Sequence, residues 1–238
     1  MIKKFFANLI NFILPPRCIN CGNILNGNDG ICSDCFQKIN FISRPFCEKC
    51  GQPFEENIKG NKLCGNCIKE KKPIFRLFRS VFIYDDFSKK MILALKFLDK
   101  TENAKVLGKL MFFSAKDILE NEIDLIIPIP LHYKRMLKRK YNQAGLLAQV
   151  LSKFCKIPVD YSSVIRSKNN RPQVEFSGKV RHNNVRGVFE VKYPEKIRDK
   201  RILLIDDVYT TGSTMKECAK ALLKAGAKSV DFLTVART

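Results

Sequence analysis

The chain has 238 residues, 45% of them hydrophobic, which is enough for one large domain with its own core and a smaller domain beside it. Its 43 Lys and Arg residues outnumber 23 Asp and Glu residues, and the formal net charge of +20 favours ligands and partners that carry negative charge. No run of about 18 apolar residues is present, so we expect no stable membrane insertion.

Residues 1–17 are predicted to form an amphipathic helix that ends before Pro15 and Pro16, because a residue that precedes proline disfavours the helical conformation. Asn8 and Asn11 interrupt the apolar run and no small-residue cleavage site follows, so the segment does not match a signal peptide. We therefore expect a cytoplasmic protein. The apolar face of the helix should pack on this protein or a partner, and contact with the inner face of the membrane is the alternative.

Residues 18–72 carry eight of the ten cysteines as four C-x-x-C pairs. Two such pairs can close a tetrahedral zinc site, so the segment predicts a small domain with two structural zinc ions. Sequential pairing gives the ligand sets Cys18, Cys21, Cys32, Cys35 and Cys47, Cys50, Cys64, Cys67, and a cross-braced pairing stays open at this point. A disulfide framework is the rival interpretation, but no secretory signal supports it.

Residues 73–238 alternate between apolar strands and amphipathic helices, which predicts an α/β domain with a parallel sheet. Strands are predicted at 80–84, 125–129, 189–191, 202–205 and 230–236. Helices are predicted at 86–98, 103–120 and 141–156, with Leu98, Val106, Leu110, Phe113, Leu119 and Phe154 among the residues assigned to the core. No G-x-G-x-x-G or Walker A sequence occurs, so dinucleotide-binding and NTPase functions are not supported.

Two basic segments stand out in this domain. Lys134, Arg135, Lys138, Arg139 and Lys140 follow the strand at 125–129, and ligands of parallel sheets bind at that end of a strand. A pyrophosphate group would suit these charges, and a solvated basic loop is the alternative. The polar segment 166–187 is long for a compact domain and predicts a lid or a binding loop.

The most informative stretch is 202–214, which reads ILLIDDVYTTGST. It predicts a buried strand that ends before Asp206 and Asp207, a loop of hydroxyl residues, and a helix whose apolar face includes Met215 and Leu223. The N-terminus of a helix accepts a phosphate, and carboxylates accept hydrogen bonds from vicinal sugar hydroxyls. The stretch therefore predicts a site for a ribose 5-phosphate.

This stretch resembles the phosphoribosyl-pyrophosphate (PRPP) binding motif of type I phosphoribosyltransferases. The resemblance implies a type I phosphoribosyltransferase-like parallel sheet with helices on both faces, preceded here by the small zinc-ribbon domain. It also implies that Asp206 and Asp207 hold the ribose hydroxyls at the catalytic centre, with Mg²⁺ bound together with PRPP. The implied PRPP contacts are Asp206, Asp207, Val208, Tyr209, Thr210, Thr211, Gly212, Ser213 and Thr214, with Arg139 on the pyrophosphate side.

The whole chain resembles the ComF family of bacterial competence proteins. The stretches that carry this resemblance are PPRCINCG, IPIPLHYKRMLKRKYNQA, RPQVEFSGKVRHNNVRGVF and ILLIDDVYTTGST. In the family's pattern Arg139, Asn142 and Gln143 belong to the pyrophosphate-side segment, and Gln173, Arg181, Asn184 and Gly187 to the flexible loop. One departure is that Glu175 and Phe176 occupy a place that small residues often fill.

The ComF resemblance implies that the protein handles single-stranded DNA entering the cell during natural transformation. Its partners would then be PRPP, single-stranded DNA and other DNA-uptake proteins such as a competence helicase. Basic residues supply sequence-independent contacts to phosphates, and those expected to contact DNA are Lys134, Arg135, Lys138, Lys140, Arg171 and Arg181. Two alternatives remain: an active transferase that moves phosphoribose from PRPP to a base or amine, and a zinc-ribbon transcription regulator with PRPP as its effector. The sequence contains no recognisable acceptor pocket.

Overall fold

The computed structural model describes residues 15–26, 30–54, 62–70, 73–167 and 187–238. The predicted N-terminal helix and most of the polar segment 166–187, including Arg171, Gln173, Arg181 and Asn184, lie outside these residues. In the part of the chain that is described, no helix is long and apolar enough to span a membrane.

A sheet of four parallel strands forms the centre of the molecule, in the order β1-β6-β5-β2. These strands are β1 (Phe78–Ile83), β2 (Leu125–Pro128), β5 (Arg201–Tyr209) and β6 (Ser229–Arg237). Residues on both sides of β5 are buried, as expected for a parallel strand covered on both faces. The predicted α/β fold is confirmed.

Three helices and a short fourth cover one face of the sheet. They are α3 (Lys89–Phe97), α4 (Asn103–Ser114), α5 (Lys116–Leu119) and α7 (Gln143–Cys155). Their buried residues, such as Leu95, Leu107 and Leu147, form one core cluster with Leu203 of β5. A Cβ at Gly108 would lie 2.7 Å from the Val150 side chain, so this glycine allows α4 and α7 to approach closely.

The opposite face is covered by α8 (Ser213–Lys224) and by a two-stranded antiparallel hairpin of β3 (Val164–Arg166) and β4 (Phe189–Val191). Met215 and Leu222 of α8 form a second core cluster with Leu204 of β5. The predicted parallel sheet with helices on both faces is therefore confirmed. Leu223, which the sequence analysis placed on the apolar face of α8, is 37% exposed.

The predicted core face of the helix 103–120 is correct only in part, because Leu110 and Leu119 pack against the core while Phe113 is exposed. The helix breaks at Ala115, and its buried side chains are Ala104, Leu107 and Met111. Apolar residues occupy adjacent positions here, such as Leu110 and Met111, so two neighbouring helical stripes satisfy the same spacing and the sequence cannot separate them. Phe113, Phe154 and Leu98, which were assigned to the core, are 52%, 44% and 66% exposed.

The cysteine-rich segment contains two short helices, α1 (Ser33–Lys38) and α2 (Gly65–Lys69). It packs against the sheet through apolar residues such as Ile39 and Phe41, through the Ile42 backbone N–H, which donates to the Val81 carbonyl oxygen at 2.9 Å, and through Arg79 of β1, which is 3% exposed. The Arg79 guanidinium donates to the carbonyl oxygen of Glu48 at 2.7 Å and pairs with Asp117 at 2.6 Å. The domain boundaries at residues 17 and 72 stay a prediction.

Candidate functional site

The sugar-phosphate loop, residues 210–214, joins the end of β5 to the first turn of α8. Gly212 precedes the helix with φ of +71°, a left-handed conformation that glycine adopts without strain. A Cβ at this position would lie 2.3 Å from the Tyr209 ring, so no larger residue fits. Thr211 Oγ1 and Ser213 Oγ lie 2.8 Å apart. Hydroxyls and helix N–H groups thus gather where a phosphate would bind.

The acidic pair, Asp206 and Asp207, lies within β5 rather than after it, which corrects the predicted end of the strand. Pairing with β6 continues as far as Tyr209, because β6 is long enough to supply partners for the whole strand. Asp207 is 7% exposed and pairs with Lys96 Nζ at 2.8 Å. Asp206 Oδ1 accepts a hydrogen bond from the backbone N–H of Asp207 at 2.8 Å. Both carboxylates therefore lie near the end of β5, a few residues before the loop, and are largely buried.

Burial, followed by the neighbouring charge of Asp207, raises the pKa of Asp206 to about 7. The charges of Lys96 and Arg166 and the hydrogen bond from Asp207 act in the opposite direction. A carboxyl group near its pKa at neutral pH is typical of functional sites, where ligand binding supplies the missing partners.

Lys96, near the end of α3, is a site residue that the sequence analysis missed. The helical pattern placed it on the polar face, yet its side chain is 20% exposed and pairs with Asp207. Its neighbour Phe97 lies 5.0 Å from the Arg139 guanidinium, which stacks over the ring. The end of α3 therefore joins the acidic pair to the basic segment. A lysine between Leu95 and Phe97 in an otherwise apolar helix end was the available signal.

The basic segment is a helix, α6 (Tyr133–Arg139), rather than the predicted loop. His132 caps it, with Nδ1 accepting from the backbone N–H of Lys134 at 3.3 Å. None of the residues of α6 is buried. Lys140 follows in a left-handed conformation and pairs with Asp99 at 3.3 Å. The helix thus presents the charges of Lys134, Arg135, Lys138 and Arg139 at the carboxyl edge of the sheet.

Arg166, at the end of β3, brings a further charge to this edge. Burial lowers the pKa of Arg166, and the positive charge of Arg135 lowers it further. The negative charge of Asp206 acts in the opposite direction. The three side chains are therefore close enough to interact. In the sequence Arg166 is only the first residue of the polar segment 166–187, and its place in the site was missed because the hairpin that positions it was not predicted in full.

The cysteines form two clusters, and both follow the sequential pairing. Within each cluster the four sulfur atoms lie within 4.8 Å of one another. A tetrahedral zinc site with bonds of about 2.3 Å has edges of about 3.8 Å. Cys21 and Cys32 sulfurs lie 3.7 Å apart, and Cys50 and Cys64 sulfurs 3.6 Å apart, so the residues fit the ion. The first cluster is Cys18, Cys21, Cys32 and Cys35, and the second is Cys47, Cys50, Cys64 and Cys67.

One thiol in each cluster has a lowered pKa, which favours its ionised form. Burial raises the pKa of Cys18, but backbone N–H donors that include those of Cys21 and Cys32 outweigh it and lower the pKa to about 6. In the same way the pKa of Cys47 is lowered to about 7, with Cys64 among the donors. Zinc binds thiolates, so these donors favour the state of each cluster that holds the metal.

Comparison with known proteins identifies both parts of the chain. The double zinc ribbon domain model matches residues 9–73, and the phosphoribosyl transferase domain model matches residues 141–238. Competence protein F of Haemophilus influenzae is 32% identical over 236 residues, which cover 97% of this chain and 99% of that protein. The chain belongs to the ComF family.

Other relatives extend across the same length. In the ComF family, competence protein ComFC of Bacillus subtilis is 27% identical over 225 residues, covering 90% of this chain and 87% of that protein. DNA utilization protein YhgH of Escherichia coli K12 is 31% identical over 230 residues, covering 94% and 98%. Among solved structures, the glutamine PRPP amidotransferase of B. subtilis is 20% identical, with a TM-score of 0.38, over 55% of this chain and 25% of that chain.

Membership of the ComF family confirms the resemblance on which the sequence analysis relied. The two sulfur clusters and the double zinc ribbon match agree on structural zinc. The assignments of the individual PRPP and DNA contacts stay predictions.

Proposed function

We propose that this ComF protein binds PRPP through its phosphoribosyltransferase-type domain and handles single-stranded DNA that enters the cell. The relatives named competence protein F and DNA utilization protein YhgH support a role in DNA uptake. The net charge of +20 suits a polyanionic partner.

The observation that carries the proposal is at the end of α3. Lys96 reaches Asp207 of the acidic pair, and the adjacent Phe97 stacks under Arg139 of the basic helix. Groups that suit a sugar and groups that suit phosphates therefore lie at one edge of the sheet. In doubly wound folds this carboxyl edge is where ligands bind.

In the proposed complex, the ribose hydroxyls of PRPP donate to Asp206 and Asp207. The 5-phosphate lies at residues 210–214, against the first turn of α8, with Val208 and Tyr209 beneath it. The pyrophosphate faces Arg139 and the rest of α6. Mg²⁺ bound together with PRPP would neutralise part of the pyrophosphate charge through oxygen ligands.

Binding of PRPP is expected to strengthen as the pH rises from about 6 to about 8, because ionised carboxylates are needed to accept from the hydroxyls. The pKa of Asp206, about 7, lies inside this window. Replacing Lys96 by Met should move the midpoint to higher pH, since the Lys96 charge lowers that pKa. Calorimetric titration with PRPP·Mg²⁺ at several pH values measures the shift.

Comparison of the Lys96→Met variant with the unmodified protein removes the contribution of the ligand's own phosphate titration, which is common to both. A midpoint that is identical in the two proteins would contradict the assignment of Lys96 to the acidic pair. Circular dichroism at each pH verifies that the variant is folded.

The proposed DNA surface is the basic helix with the apolar residues around it. Tyr133 and Leu137 of α6 are 62% and 77% exposed, and the adjoining Phe97 is 62% exposed. Exposed rings beside positive charges let bases stack while the backbone is neutralised. Tyr141 is half-buried, and its hydroxyl donates to the Leu95 carbonyl oxygen at 2.8 Å, so it is not counted among the exposed rings. The predicted contacts Arg171 and Arg181 lie outside the described residues and remain part of the proposal.

Replacing Lys134 and Lys138 together by Ala is expected to weaken binding of an oligo-dT strand and to lower the slope of log K against log salt by about 1.4, about 0.7 for each phosphate that the protein no longer neutralises. Fluorescence anisotropy of a labelled strand at several KCl concentrations measures both quantities. The matched control is the Lys224→Ala/Lys228→Ala double variant, whose lysines lie at the opposite edge of the sheet. Equal losses of affinity in the two double variants would refute the proposed surface.

A turnover assay on the unmodified protein tests the alternative that it is an active transferase. Incubation with radiolabelled PRPP and candidate bases or amines should release no pyrophosphate above background. Release of pyrophosphate with a free base would replace the proposal by the transferase alternative.

We further propose a cytoplasmic location, with contact at the inner face of the membrane, and a DNA-uptake helicase as a partner. The proposed domains are residues 1–17, 18–72 and 73–238.

A further inference from the structure

Arg237, near the end of β6, is a buried cation with an unusual set of neighbours. Its side chain is 7% exposed, and its two terminal nitrogens donate to the Cys50 carbonyl oxygen and to Gln52 Oε1, each at 2.6 Å. Its Nε atom is buried without a hydrogen-bond partner. Among the residues that the structure describes, no carboxylate forms an ion pair with it. An uncompensated charge in such a place is costly unless something nearby carries the opposite charge.

The second cluster can carry that charge. Four thiolates around one Zn²⁺ have a net charge of −2. Cys50, whose carbonyl oxygen accepts from Arg237, is one of the four ligands. Residues that contact the ligands of a metal in this way orient them and adjust the electrostatics of the centre. The loaded second cluster thus supplies the counter-charge that the protein around Arg237 lacks.

The other side of Arg237 faces the sugar-phosphate loop. The guanidinium lies 5.1 Å from the centre of the Phe78 ring and 5.8 Å from that of Tyr209. Tyr209 is the residue whose ring packs against Gly212, and its carbonyl oxygen accepts from the backbone N–H of Thr238 at 3.0 Å. A continuous series of contacts therefore runs from the second cluster through Arg237 and Tyr209 to Gly212.

A cavity of about 660 Å³ lies between the two sites and is lined by both of them. Cys50, Cys64 and Cys67 line it on the side of the cluster, and Tyr209, Thr210 and Thr211 on the side of the loop. Direct packing between cluster and loop is therefore incomplete. Arg237 is a side chain that spans the gap, so its position depends on both sides.

We propose that Arg237 is a positioning residue that couples the second zinc cluster to the sugar-phosphate loop. The inference rests on the proposed binding of PRPP at that loop. With zinc bound, the guanidinium is held between the cluster and the Tyr209 ring, and Tyr209 supports Gly212 in its left-handed conformation. With zinc removed, the guanidinium loses its counter-charge and the support of Tyr209 weakens. Because coupling between two binding sites is reciprocal, a ligand on the loop must also tighten zinc in the second cluster.

The test uses full-length protein that carries Cys21→Ser, so that the second cluster is the one that retains its full set of thiols. Zinc release to a chromogenic chelator is followed with and without PRPP·Mg²⁺, and PRPP affinity is measured by calorimetry. PRPP should slow zinc release several-fold. Arg237→Met should retain zinc before chelation, reduce PRPP affinity about tenfold and abolish the effect of PRPP on zinc release.

The matched control is Arg79→Met. Arg79 anchors the same cysteine-rich segment, through the Glu48 carbonyl oxygen and Asp117. The segment keeps its apolar packing and its contact with Arg237 in this variant, so Arg79→Met should leave the PRPP affinity and the effect of PRPP on zinc release unchanged. The proposal is overturned if Arg237→Met binds PRPP with unmodified affinity, or if Arg79→Met reduces it as much, since general docking of the segment would then be responsible.

A measurement without PRPP separates this inference from the proposed function. Amide resonances of residues 209–213 should shift when zinc is removed from the second cluster, and Arg237→Met should produce the same shift with zinc still bound. If the unmodified protein fails to bind PRPP but these shifts occur, the proposed ligand is wrong and the coupling stands. If PRPP binds and the shifts are absent, the coupling is wrong and the proposed function stands.

Discussion

Replacing Asp206 and Asp207 together by Asn is expected to reduce PRPP affinity at least 100-fold and to leave the zinc content unchanged. Two ionised acceptors would be removed, and hydrogen bonds to charged groups contribute about 1.5 to 3 kcal/mol each. Calorimetry with PRPP·Mg²⁺ measures the affinity, and elemental analysis measures the zinc. Asp86→Asn is the matched control, because the Asp86 side chain is 97% exposed and lies outside the site.

The single variant Asp206→Asn should also make the protein more stable at neutral pH. The folded-state pKa of Asp206, about 7, lies above its ordinary value of 3.8. The folded state therefore binds more protons than the unfolded state between these two values, and the free energy of unfolding falls as the pH rises through that window. Removal of the charge should add about 1 to 3 kcal/mol to the free energy of unfolding at pH 8, measured by urea unfolding.

PRPP binding of normal strength in the double variant, in which both Asp206 and Asp207 are replaced by Asn, would show that the sugar lies elsewhere.

Replacing Cys47 by Ser is expected to lower the zinc content from about two ions per chain to about one. The cysteine-rich segment has few large buried apolar residues, so metal binding supplies most of its folding free energy. Limited proteolysis should then cleave the region around the second cluster, while the phosphoribosyltransferase-type domain remains intact. That domain has its own core of residues such as Phe78, Leu107 and Leu204.

Cys155→Ser is the control for this experiment, since Cys155 lies on α7 outside both clusters. It should keep both zinc ions and the protease resistance of the unmodified protein. Retention of two zinc ions in Cys47→Ser would contradict the sequential ligand sets. Loss of both ions together would indicate a shared site.

Features whose geometry is determined by residues close together along the chain could be predicted from the sequence. The C-x-x-C spacing groups the thiols into pairs, and the sequential sets, the simpler of the two pairings that the sequence left open, are the ones that the structure contains. Gly212, a glycine just before a predicted helix, adopts a φ of +71° and lies against the Tyr209 ring, where no larger residue fits. In both cases neighbouring residues along the chain determine the geometry.

Features that depend on distant elements could not be predicted. β5 extends past the acidic pair because β6 pairs with it as far as Tyr209, and nothing in the local sequence shows that length. Lys96 joins the site because tertiary packing brings the end of α3 within reach of Asp207 of β5. The buried stripe of α4 was predicted only in part, because adjacent apolar residues satisfy two neighbouring stripes and the close approach of α7 at Gly108 decides between them.

A sugar phosphate is expected to bind where β5 meets α8. A crystal structure of the protein with PRPP·Mg²⁺ tests it most directly. We predict the 5-phosphate within hydrogen-bonding distance of the backbone N–H groups of residues 211–214, and both ribose hydroxyls on the carboxylates of Asp206 and Asp207. Ligand density at any other place, with those carboxylates still paired only to Lys96 and the backbone, would contradict it.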